Sequence, residues 1–164
     1  MNIEEKIDFL RKRHPAFGRK VMHDVNAQGE EFCETIYPNE NDPMMPIAVS
    51  VSEAGCLISV GKIPNVTGDR PITAEQAADA IDDIVSDRII FVLGYRDGND
   101  GEGAPFMTEL FPLTGGIDDK SEELEKFIVK ISTPVKGLKR KLTSLKGRFV
   151  ICNFSGSENR TITR

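Results

Sequence analysis

Residues 46–63, PIAVSVSEAGCLISVGKI, constrain the fold more than any other segment of the chain. Ile47, Val49 and Val51 alternate with Ala48, Ser50 and Ser52, the pattern of a strand with one buried face. Glu53-Ala54-Gly55 supplies a turn in which Gly55 can take a positive φ, and residues 56–62 return as the partner strand. A connection this short joins only antiparallel strands. A second pair is read upstream, with Val21, Met22 and Val25 leading through Asn26-Ala27-Gln28-Gly29 into residues 32–37. Residues 38–46 carry three prolines and two asparagines and form a loop.

Two helices frame these strands. Asn2 caps the first, where Ile3, Ile7 and Leu10 recur at helical spacing until His14-Pro15 ends it. Thr73 and Gln76 form a capping box before an apolar stripe of Ala77, Ile81, Ile84 and Val85. Further on, IIFVL at 89–93 reads as a central strand, and residues 106–113 and 148–154 read as two more. Helical periodicity covers about 118–131, and a short basic helix is expected over 135–146. The order predicts an α+β single domain over residues 1–164, with one mainly antiparallel sheet of about five to seven strands and three or four helices. The glycine-rich loop at 94–105 is the candidate lobe boundary, and the polar tail 155–164 is expected to fray.

With 164 residues, 39% hydrophobic and 29% charged, the chain can bury a core without staples, which excludes a disordered class. No apolar run approaches the ~18 residues of a membrane span. MNIEEKIDFLRKRH lacks the apolar stretch of a signal peptide. Cys33, Cys56 and Cys152 are an odd, widely spaced set that argues for a reducing compartment, so a cytoplasmic location away from membranes is expected.

Charge is segregated. The net charge is -5, yet residues 11–20 hold Arg11, Lys12, Arg13, Arg19 and Lys20 with no acid among them. Residues 136–148 likewise hold Lys136, Lys139, Arg140, Lys141, Lys146 and Arg148 with no Asp or Glu. On the second helix Glu75, Asp79, Asp82 and Asp83 share one broad face, although like charges at i, i+4 oppose helix formation slightly. Such a face can bind a basic protein surface; the plain alternative is a solvated face.

Catalytic and metal signals are weak. Zinc needs clustered Cys and His, and the chain has no C-x-x-C and only His14 and His23. The loop Asp97-Gly98-Asn99-Asp100-Gly101-Glu102 departs from a calcium loop at its fifth, sixth and twelfth positions. Its acids would also repel a phosphate. Cys33, Cys56 and Cys152 fall in apolar strand patterns and read as structural. His23 and Cys33 can meet across the first hairpin, but no third group is evident to orient them. No cofactor or metal is implied, and the chain is expected not to be an enzyme.

The expected function is therefore a small acidic, non-catalytic protein-binding module. Its physical type is that of immunity proteins and enzyme inhibitors, acting by electrostatic steering and occlusion. Glu75, Asp79, Asp82 and Asp83 form its expected contact surface, with Asp97, Asp100 and Glu102 as a second patch, and its partner is a protein with a basic surface. The alternative is nucleic-acid binding through Lys139, Arg140, Lys141, Lys146 and Arg148, helped by residues 11–20, although no aromatics interleave with these charges. A cysteine-dependent enzyme is the third reading.

Overall fold

The computed structural model describes residues 1–18, 21–96, 107–112, 147–156 and 160–163. The chain forms two compact units, Met1–Ser86 and Asp87–Arg164. The division falls ahead of the 94–105 loop at which the sequence suggests a lobe boundary.

The first unit holds helix α1 (Ile3–Arg13), strands β1 (Val21–Val25), β2 (Glu31–Tyr37), β3 (Ile47–Ser52) and β4 (Gly55–Val60), and helix α2 (Ala74–Val85). The strands form one antiparallel sheet in the order β1-β2-β3-β4. Register places Cys33 opposite Val51 and Val51 opposite Cys56, with Thr35, Val49 and Ile58 forming the next row. All six are buried, so the alternation in the sequence has become one continuous apolar face. Helices α1 and α2 cover it with Ile7 and Leu10, and with Ala74, Ala77, Ala78, Ile81 and Ile84. Val85 closes the predicted stripe only half-buried.

Local signals set the ends of these elements. Asn2 caps α1 and Glu5 reaches back to the Asn2 backbone, a capping box matching that of Thr73 and Gln76 on α2. Glu53 and Ala54 alone connect β3 to β4, and Gly55 follows at φ 141°. A Cβ there would lie 2.5 Å from the carbonyl oxygen of Ile72, so the glycine is required by space as well as by φ. Lys6, only 7% exposed, donates from Nζ to the carbonyls of Ser52 and Glu53 and ties α1 to this turn.

The second unit holds β5 (Ile89–Arg96), β6 (Met107–Pro112), β7 (Gly147–Cys152) and β8 (Arg160–Thr163), ordered β6-β5-β7-β8 with every pairing antiparallel. β5 is internal, as its unbroken apolar run predicts, and Ile90 to Leu93 are all buried. The protein is thus α+β with antiparallel sheets, but the described strands form two four-stranded sheets instead of one sheet of five to seven strands. The first sheet cannot extend past β4, because that edge is already occupied. Cys56 and Ile72 exchange two backbone hydrogen bonds, and Val66 and Ile63 bond to Ile58 and Val60. Residues 160–163, read from sequence as a fraying tail, pair with β7. The described residues contain two helices; those expected at 118–131 and 135–146 lie outside them.

Candidate functional site

The hairpin β1–β2 and the flank of α1 build a concave surface on the first unit. The turn fixes the hairpin register: Asn26 N–H bonds to the Glu30 carbonyl, Gly29 N–H bonds to the Asn26 carbonyl, and Gly29 sits at φ 81°. The resulting register sets His23 opposite Cys33. Their side chains meet on the α1 side, with Sγ 3.0 Å from Nδ1. The contact is a hydrogen bond between thiol and imidazole whose direction follows the imidazole tautomer.

Three adjoining clefts run along this surface. The first, about 510 Å³, is lined by Ile3, Glu4, His23, Asp24, Val25, Glu31, Phe32 and Cys33. A second, about 260 Å³, continues past Glu4, Ile7, Asp8, Arg11, Val21 and His23. A third, about 340 Å³, turns around the end of α1 between Ile3, Glu30, Glu31, Ser52, Glu53 and Ala54. Among the described residues their charged lining is six carboxylates against Arg11 alone. Among the described residues, Glu4, Asp8 and Glu31 make no salt bridge. Asp24 accepts from the Val25 amide, and Glu30 accepts from the Asn26 side chain.

This environment acts against thiol chemistry. Burial, followed by the carboxylates of Glu31 and Glu4, pushes the Cys33 thiol above its ordinary pKa. An attacking cysteine needs the opposite shift. Among the described residues no group of three or more Cys, His, Asp or Glu side chains could hold a metal ion.

The acidic row on α2 has a different setting. Arg13 reaches across from the end of α1 and bonds Asp82 at 2.6 Å and Asp79 at 3.1 Å. His14, buried, donates from Nε2 to the Ala78 carbonyl at 3.1 Å, and Asp82 lies 3.5 Å from the same nitrogen. Asp83 is half-buried. Glu75 remains exposed at the start of α2, where its own backbone N–H and the Thr73 hydroxyl hold its carboxyl below the usual range. One of the predicted basic stretches therefore contributes to neutralising the predicted acidic face.

Most of the other predicted positions fall outside the described residues. Asp97, Asp100 and Glu102 lie outside the described residues, as do Arg19, Lys20, Lys136, Lys139, Arg140, Lys141 and Lys146. Arg148 stands on β7 opposite Tyr95. Arg11 donates to the Gly18 carbonyl. The sequence reading missed Glu4, Asp8, Asp24, Glu30, Glu31 and Glu53, which are scattered along the chain and converge only through the hairpin register and the placement of α1.

No described helix is long and apolar enough to cross a membrane. Comparison with protein-family models, curated proteins and solved structures finds no match to this chain.

Proposed function

We propose that this protein is a non-catalytic binding module that engages a basic surface of another protein, in the manner of an immunity or inhibitor protein. The observation that carries the reading is the carboxylate-lined surface between α1 and the β1–β2 hairpin. Convergent charge in a concave setting speeds the encounter with an oppositely charged partner and rejects like-charged ones. Glu4, Asp8 and Glu31 are favoured over the α2 row, because Arg13 already screens Asp79 and Asp82. Glu75 and Asp83 extend the acidic surface as secondary contacts, and Asp97, Asp100 and Glu102 are retained as a further candidate patch. The raised Cys33 thiol supports a binding role over a cysteine-dependent reaction.

The test is capture of partners from source-cell lysate at low salt, with and without nuclease. The wild-type chain is compared with a Glu4→Gln/Asp8→Asn/Glu31→Gln variant of matched circular dichroism. A protein retained after nuclease and lost from the variant is the expected result. Retention unchanged by the substitutions would overturn the reading. Partners that vanish with nuclease, and with neutral substitutions at Lys139, Arg140 and Lys141, would transfer the function to nucleic acid.

A further inference from the structure

The two edges of the first sheet are treated differently. The β4 edge is filled by backbone hydrogen bonds from residues 63–72. The β1 edge has no such cover among the described residues, and Met22 and Val25 are 44% and 55% exposed. Because Asn26 and Glu30 form a hydrogen-bonded pair, alternation along the ladder turns Met22 and Asp24 toward β2. It turns the backbone of Val21, His23 and Val25 outward. The Val25 amide is taken by the Asp24 carboxylate. Among the described residues nothing pairs with the amides of Val21 and His23 or with the outward carbonyls along the rim of the acidic clefts.

We infer that β1 receives an extended basic segment of another protein as an added strand. The inference rests on the binding role proposed above and specifies how that surface is used. Backbone pairing supplies affinity, and alternate side chains supply selectivity. Every second residue of the incoming strand points to the α1 side, where Lys or Arg meets Glu4, Asp8 and Glu31. The intervening residues lie over the other face beside Met22 and favour small or apolar side chains. A second copy of this chain is a poor occupant, because edge-to-edge pairing would bring the same carboxylates together.

The test uses a blocked Lys-Val-Lys-Val-Lys-Val peptide as the probe, titrated at low salt while hydrogen exchange is followed at each amide. Binding with protection of the Val21 and His23 amides is expected. Two further peptides of identical charge carry N-methyl groups on one or the other alternate set of amides. Methylation of the set facing β1 should weaken binding roughly tenfold or more, and methylation of the other set far less. If both methylated peptides bind like the parent while Glu4→Gln/Asp8→Asn/Glu31→Gln abolishes binding, strand addition is wrong and the acidic-surface reading stands. Absence of peptide binding to the wild type would overturn the inference, leaving the reading to the lysate experiment. Protection of Val21 and His23 that grows with protein concentration and needs no peptide would assign the edge to a second copy, and overturn it equally.

Discussion

At the scale of single residues, most polar groups inside the first unit have partners, and a few buried polar atoms, the Thr35 hydroxyl among them, do not. Lys6 is inside because its ammonium satisfies two carbonyls at the β3–β4 turn. Lys6→Met keeps most of the stem and leaves those carbonyls unpaired, so a loss of about 1–3 kcal/mol in urea unfolding is expected. Thr35, fully buried, has a hydroxyl with no hydrogen-bond partner, so Thr35→Val should be neutral or stabilising in the same assay. Burial pushes the Cys56 thiol up to about 11. Above about pH 9 the unfolded chain releases that proton first, so the thiol's contribution to stability is complete below pH 9 and is lost between there and about pH 11. The urea midpoint of the wild type should fall more than that of Cys56→Ala across this interval. Equal falls would show that the thiol titrates as in the unfolded chain. Lys6 had a visible signal, since it shares the apolar face of Ile3 and Leu10 at i, i+3 and i, i+4. The Arg13–Asp79 and Arg13–Asp82 contacts had none, because they span 66 and 69 residues and depend on how α1 meets α2.

Among elements, the hairpins were the most legible, because a short turn with a glycine fixes register locally. The two turns use glycine for different reasons. Gly55→Ala drives a Cβ into the Ile72 carbonyl and should cost more than about 1 kcal/mol. A Cβ at Gly29 meets nothing within 4 Å, so Gly29→Ala carries only the penalty of a positive φ and should be the milder change. Thermal unfolding of the two variants ranks them, and the reverse order would contradict the assigned turn geometry. The division into two sheets was not legible, because nothing in the β4 pattern reveals that residues 63–72 will fold back along its edge. The strand at residues 160–163 was equally hidden, since a polar tetrapeptide becomes a strand only when β7 offers it an edge. The His23–Cys33 contact followed from hairpin register, whereas the acidic clefts required the added knowledge of where α1 lies.

For the whole molecule, segregated charge is the property that connects fold to proposed function. The sequence reading puts the contact acids on α2 and in the loop at 97–102, while the fold pairs part of the α2 row with Arg13 and gathers other acids between α1 and the hairpin. An acidic chain of net charge -5 that steers a basic partner must associate more slowly as salt rises. The dissociation rate should change much less. The most direct measurement is therefore the association rate of the captured partner against ionic strength, for the wild type, Glu4→Gln/Asp8→Asn/Glu31→Gln and a Lys139→Ala/Arg140→Ala/Lys141→Ala variant. The account predicts a steep fall for the wild type, a clearly flattened slope for the carboxylate variant and a wild-type slope for the basic-stretch variant. An unchanged slope in the carboxylate variant, or a flattened one only in the basic-stretch variant, would contradict it.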